Sequence, residues 1–335
     1  MYKKLYYKVS YLWKRILKKF IEINAKIHGR SFYCRSLAGN SKYYNLSVAS
    51  DMNVSCNCSD IYGEGILGNM NYNSLNEIMH GKKADSFRKK LANGKLPITN
   101  CATCYDLTTK AINYRNPKNL LIENTIHCNL NCLGCYRENI QQIRKIKFLS
   151  LNDIEKIAKS IKGINTIHYY NQGEPFFSKN IKKELQIIRK YHPDIKIIIS
   201  TNGLLLNTKE KREAAMLADE IIFSVHGSNT KSLRKYQKNG DFNKVFTNMK
   251  NLVKYKDKKD KPAITWKYVL FWWNDSSKEI KNAISLAKKI NLNGILFEKT
   301  QHPLYAISFK HHLSLGYLNK ISHFQNNICY IKLKL

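Results

Sequence analysis

From residue 119 the chain alternates short β-rich runs with helical stretches, and that rhythm restricts the possible folds more than any other feature. The runs are "NLLIENTIHC", "INTIHYYNQG", "IKIIISTNG", "ADEIIFSVHG", "AITWKYVLF" and "NGILFEKT", rich in β-branched and aromatic residues and mostly closed by turn formers. Helical patterns such as "SLNDIEKIAKSIKG", "NIKKELQIIRKYH" and "SSKEIKNAISLAKKI" lie among them. Parallel strands need long crossovers, usually helices, so six such units predict an α/β fold built on a parallel sheet. An open doubly wound sheet and a full or partial barrel both fit. In either, functional groups collect at the carboxyl ends of the strands, which here read "HCNLNC", "NQGEP", "STNG" and "SVHGSN". Turn chemistry alone recruits Gly and Asn to such loops. The site is marked by their coincidence with three cysteines at the end of the first strand.

Those cysteines, Cys128, Cys132 and Cys135, stand in "HCNLNCLGCY" as CxxxCxxC without a fourth ligand in reach. Structural zinc closes with four protein ligands, and His127, adjoining Cys128 on a strand, points to the opposite face. A four-iron cluster held by three thiolates keeps one iron open for another ligand, which gives the empty fourth place a use.

The nine cysteines are clustered. Cys34, Cys56, Cys58, Cys101 and Cys104 lie in the first third, and Cys329 stands alone as a small buried hydrophobe. The opening "MYKKLYYKVSYLWKRILKKF" is interrupted by Lys and Arg and has no cleavage site of the secretory kind. A cytoplasmic location is therefore expected, where thiols serve as metal ligands or reactive groups rather than disulfides. No uninterrupted apolar run approaches the length of a membrane span.

The 57 Lys and Arg against 24 Asp and Glu leave a formal charge of +33. That field favours nucleic acid, anionic lipid or phosphorylated partners, although a Lys-, Asn- and Ile-rich composition accounts for much of it. Residues 1–28 form a basic helical pattern with Leu5, Tyr6, Val9, Leu12, Trp13, Ile16, Leu17, Phe20 and Ile21 on one broad apolar face. Such a helix usually packs on its own domain; a peripheral contact with an anionic membrane face is the alternative.

With these motifs in order, the chain resembles the radical S-adenosylmethionine (radical SAM) superfamily. The resemblance implies a partial (β/α)6 barrel over residues 116–300, with Cys128, Cys132 and Cys135 holding a [4Fe–4S] cluster. Its open iron would take the methionine moiety of S-adenosylmethionine, whose reductive cleavage yields a 5′-deoxyadenosyl radical. "NQGEP" is similar to the family's Gly-Gly-Glu, so Gln172, Gly173 and Glu174 are implied cofactor contacts, with Glu174 accepting from the methionine ammonium. "STNG" supplies Thr201 and Asn202, and Ser224 of "SVHG" is implied near the ribose, where His226 replaces the usual Asp. The residue before the last cysteine is ordinarily aromatic; here it is Gly134, and Tyr136 is taken as its replacement beside adenine. An external electron donor such as a flavodoxin or ferredoxin is implied as a partner.

"CNCSDIYGEGILGNMNYNSLNEIMHGKKADSFRKKLANGKLPITNCATC" resembles the SPASM or twitch auxiliary-cluster domain, with its Gly-Asn, S-L-x-E-I, Phe87-Arg88 and G-K-L-P signposts. The resemblance implies that Cys34, Cys56, Cys101 and Cys104 hold a second cluster, with Cys58 as an alternative ligand; four thiolates also suit zinc. This domain, residues 29–115, precedes the barrel rather than following it. Residues 301–335 form a tail without rhythm. The expected function is radical modification of a peptide, protein, carbohydrate or small molecule. The rival is a non-enzymatic metal-binding protein that uses its basic surface on nucleic acid, but no RNA-binding motif supports it.

Overall fold

The computed structural model describes residues 2–41, 43–56, 62–144, 146–256, 260–325 and 327–333, with side chains of the first helix from Tyr7 onward. Two compact units emerge: Met1–Ile126 with Tyr136–Asn171 and Ile187–Ile195, and His127–Cys135 with Gln172–Gln186 and Lys196–Leu335.

In the second unit, strands Lys196–Thr201, Glu220–Ser224, Ala263–Leu270 and Gly294–Lys299 run parallel in chain order. They are the last four runs of the sequence pattern. Ile197, Ile198 and Ile199 are buried in succession, as expected where a parallel sheet is covered on both faces. Helix Ser277–Lys289 buries Ile280, Ala283 and Ala287, an amphipathic stripe, and the Ser276 side chain caps it by accepting from Glu279 N–H at 3.2 Å. The tail is not patternless: Ile328–Lys332 adds an antiparallel strand beside Gly294–Lys299 and buries Cys329 opposite Phe297.

In the first unit, Asn119–Ile122 and Thr166–Tyr169, the first two runs, pair in parallel. Asn119–Ile122 also pairs in parallel with Leu46–Val48, which continues antiparallel into Asn53–Ser55 and then Ile66–Asn69. The cysteine-rich region therefore extends a core sheet directly. Helix Leu151–Ser160 begins at a capping box, with Ser150 and Asp153 exchanging hydrogen bonds.

Helix Tyr2–Ile27 packs on the short turn Thr99–Thr103, but of its expected apolar face only Leu17 and Ile21 are half-buried among the described side chains. Tyr7 and Ala25 are buried, Ile21 joins a core with Phe32, Leu91 and Leu96, and Lys14 donates to Asn100 at 3.1 Å. Val9, Leu12, Trp13, Ile16 and Phe20 lie exposed instead. Leu5 and Tyr6 fall outside the described side chains. The packed face won because its tyrosines and Glu22 find partners: Tyr11 donates to Glu64, and Glu22 accepts from Leu96 N–H at 2.8 Å.

Candidate active site

The three-cysteine loop belongs to the second unit together with the ends of its strands. Asn131–Cys132 pairs antiparallel with Gln237–Lys238, and Leu133 N–H donates to Tyr236 O at 2.9 Å, so the middle of the loop is pinned by backbone bonds. Cys135 N–H closes a turn on Cys132 O at 3.3 Å. All three thiols are half-buried.

The sulfurs of Cys128 and Cys135 meet polar neighbours. Cys128 Sγ accepts from Leu130 N–H at 3.4 Å and from the Asn202 amide at 3.7 Å. The Cys135 thiol donates to Gln172 Oε1 at 3.8 Å; bound to iron as a thiolate it could only accept, and a rotated Gln172 amide would then present its NH2. N–H groups aimed at sulfur stabilise thiolate charge and tune a cluster's potential.

Glu174 organises the rest. It is 2% exposed, and it accepts from Thr201 Oγ1 and Asn202 N–H, each at 2.7 Å, and from Phe176 N–H at 3.2 Å. Its own N–H donates to His127 O at 2.8 Å, tying "NQGEP" to the residue before the first cysteine. Burial pushes the Glu174 carboxyl above the usual range, while the three hydrogen bonds act in the opposite direction. A carboxylate offers about four acceptor positions, so one remains beside Asn202 N–H for a further donor such as an ammonium.

Thr201 and Asn202 are thus held by Glu174. Asn202 also spends Oδ1 on Leu204 N–H at 3.0 Å and Nδ2 on Asn129 Oδ1 at 2.9 Å. Gly203 follows with φ near +76°, and a Cβ there would meet the Phe223 ring at 2.6 Å, so "STNG" ends in the one residue that fits. Ser224 shares a hydrogen bond with Ser200 at 2.9 Å.

His226, where the family pattern has Asp, points into the core. Its Nδ1 accepts from Val269 N–H at 3.1 Å, and its ring meets Tyr236 edge-on at 5.5 Å. Burial, with the charge of Lys267 adding, pushes the imidazole down to about 3, so it is neutral. Gly134 also has a physical reason: a Cβ would come within 3.0 Å of the His302 ring, whose Nε2 meets Gly134 O at 3.0 Å. His302, Asn129 and Gln237 escaped the sequence reading because each acts through backbone or amide contacts that carry no motif. Gln237 bridges His226 N–H and Ser224 O at 2.8 and 2.9 Å. Tyr136 lies in the first unit, against Ile126 and Ile140 and 4.8 Å from the Tyr7 ring.

The first unit gathers the earlier cysteines. Cys34, Cys56, Cys101 and Cys104 line one small pocket walled by Leu37, Phe87, Leu91, Pro97 and Leu107. Cys34 is paired with Leu107, and Cys101 and Cys104 lie on the turn before it. Cys58 lies outside the described residues. Burial pushes the Cys34 and Cys101 thiols up to about 12, and the neighbouring cysteines add to the rise. Without a cation these groups stay protonated; bound metal would deprotonate them.

The signposts around this pocket have physical causes. Ser74 and Glu77 of "SLNEI" form a capping box, with Ser74 N–H donating to Glu77 Oε2 at 2.7 Å. Gly68 lies so near Ile78 that a Cβ would approach to 2.8 Å. Asn69 ties the hairpin by donating to Asp51 O and Asn53 Oδ1 at 3.1 and 3.0 Å. Phe87 is a wall of the cysteine pocket, and Arg88 donates to Met79 O and Leu37 O at 2.7 and 3.2 Å. Among the described residues, no three His, Cys, Asp or Glu side chains converge as ligands of a single ion must. In a four-iron cluster each thiolate binds a different iron, so the donors stand apart around the group. The all-thiol donor sets therefore fit clusters: three with one open place, and four in a pocket with largely apolar walls.

Residues 122–261 match the Radical SAM superfamily, and residues 40–105 match an iron–sulfur cluster-binding SPASM domain. Residues 122–261 are thus a radical SAM domain and residues 40–105 a SPASM domain ahead of it in the sequence, and the two domains support iron–sulfur clusters and S-adenosylmethionine as cofactors. It is 27% identical over 172 residues to "GTPase Obg" of Brachyspira hyodysenteriae, covering 49% of this chain and 25% of the relative. It is 35% identical over 102 residues to a "Probable GTP 3',8-cyclase" of Pyrococcus abyssi, covering 29% of this chain and 32% of the relative. The chain thus spans only a quarter to a third of these relatives. A solved structure, "Structure of TYW1 with a lysine-pyruvate adduct bound", superposes with TM-score 0.47 at 14% identity, covering 64% of this chain and 80% of that one.

Proposed function

We propose that the chain cleaves S-adenosylmethionine reductively and uses the resulting radical to abstract hydrogen from a substrate. When bound, the three-thiolate cluster supplies one electron and an open iron, and the bound S-adenosylmethionine supplies the 5′-deoxyadenosyl radical. Everything else falls to this chain's side chains. Glu174 takes the methionine ammonium at its remaining acceptor position and keeps Thr201 and Asn202 in place. Asn202 and Leu130 N–H support the Cys128 thiolate, and Gln172 serves Cys135. Ser224 is assigned to the ribose and Tyr136 to the adenine side. The observation that carries this reading is Glu174, a buried carboxylate tied to the cysteine loop and to the next strand end at once.

Five further assignments complete it. Residues 29–115 hold an auxiliary cluster on Cys34, Cys56, Cys101 and Cys104, and residues 116–300 form the catalytic core. The reductant is a flavodoxin or ferredoxin, and the protein works in the cytoplasm. The substrate is a peptide, protein or carbohydrate; the cyclase relatives named for GTP put that nucleotide in the first screen as well. Anaerobically reconstituted chain mixed with S-adenosylmethionine and dithionite should release 5′-deoxyadenosine and methionine. A fully loaded cluster that releases neither would refute the proposal.

A further inference from the structure

We propose that the outward face of helix Tyr2–Ile27 docks on a bilayer surface carrying anionic lipid. The inference does not depend on the radical reading.

The helix has a mixed face that the fold covers and an apolar face that it does not. Tyr7, Lys14, Ile21 and Ala25 turn inward. On the opposite side Val9, Leu12, Trp13, Ile16, Phe20, Ile23 and Ile27 are 40–70% exposed. Their spacing of three, one, three, four, three and four keeps them within an arc of about 100°. The stripe runs for about 27 Å. Single exposed apolar residues are ordinary, but an unbroken row of seven marks an interaction surface.

Charge selects the partner. Lys8, Arg15, Lys19 and Lys26 are exposed along one edge of the stripe. The sole acid in the helix sequence, Glu22, is half-buried and engaged with Leu96 N–H. An apolar face bordered by a cationic row, with no acid to repel phosphates, matches an interface of acyl chains beneath negative headgroups. Trp13 and Phe20 suit the headgroup boundary. No described helix is long and apolar enough to cross a membrane, so the contact is superficial.

The cofactor-loaded chain should co-sediment with vesicles of phosphatidylcholine mixed equally with phosphatidylglycerol, about tenfold more than with phosphatidylcholine alone. Trp13→Glu/Phe20→Glu should abolish binding while circular dichroism and iron content stay unchanged, since both side chains are exposed. Lys8→Glu/Lys19→Glu/Lys26→Glu should lower binding to the mixed vesicles about tenfold, to the level seen with phosphatidylcholine alone. Three results would overturn the proposal. The mixed vesicles bind no more chain than phosphatidylcholine does; Trp13→Glu/Phe20→Glu binds as well as wild type, which assigns the affinity to diffuse basic charge; or that variant turns a dimer into a monomer in sedimentation velocity without vesicle binding by wild type, which assigns the face to a second copy.

Discussion

The two cysteine sites solve opposite problems with the same ligand. The loop of Cys128, Cys132 and Cys135 offers three half-buried thiols, two of them met by amide groups, next to a carboxylate with acceptor capacity to spare. The pocket of Cys34, Cys56, Cys101 and Cys104 offers four thiols among apolar walls, with burial holding two of them far from ionisation. One site is arranged to accept a further ligand and the other to be complete. Ligand count, together with the carboxylate beside the three-thiol loop, is therefore what the proposed division into a reactive and an auxiliary cluster rests on.

The sharpest way to break that comparison is to remove one ligand from each site. Cys132→Ala should abolish 5′-deoxyadenosine formation and remove about four irons per chain, with the melting temperature nearly unchanged because that loop remains pinned by its backbone bonds. Cys101→Ala/Cys104→Ala should remove a similar amount of iron but lower the melting temperature by several degrees, since metal binding is part of this domain's stability. Iron analysis and calorimetry on the two variants check both. Identical iron and stability losses would erase the distinction.

A smaller effect is expected at Glu174. Glu174→Gln keeps the shape but loses the charge and puts an NH2 opposite either Thr201 or Asn202 N–H. S-adenosylmethionine should bind about 10–100-fold more weakly, measured by equilibrium dialysis on iron-loaded protein. Unchanged affinity would assign Glu174 to loop architecture alone.

The smallest effect is on pH dependence. His226 holds its imidazole near 3 in the fold against an ordinary 6.5. The unfolded chain therefore binds the extra proton first as pH falls. The contribution is complete above pH 6.5 and is lost progressively between 6.5 and 3, at up to about 1.4 kcal/mol per pH unit. Urea titrations at pH 7 and pH 5 should show a smaller fall for His226→Gln than for wild type. Equal falls would mean that His226 is solvated and outside the core.

Much of this was legible in the sequence. All six strand runs became strands, because alternating crossover helices force that outcome and buried parallel strands need long apolar runs. The SPASM signposts were legible because each has a local cause: a capping box at Ser74, a close approach at Gly68 and a carbonyl clamp at Arg88. What escaped were contacts between distant residues. The strand Leu46–Val48 joining the core sheet beside Asn119–Ile122 has too short a run to advertise a partner. His302 filling the space at Gly134 is separated from it by 168 residues. The first helix was misread in its facing, because periodicity reports that a stripe exists and not which stripe the fold covers.

The central claim is that the three-cysteine loop carries a cluster whose open iron binds S-adenosylmethionine. Electron paramagnetic resonance of the reduced Cys101→Ala/Cys104→Ala chain, with its second site removed, tests it most directly. The account predicts a cluster signal that changes when S-adenosylmethionine is added and that disappears with Cys132→Ala. A fully loaded cluster whose signal is indifferent to S-adenosylmethionine would contradict it.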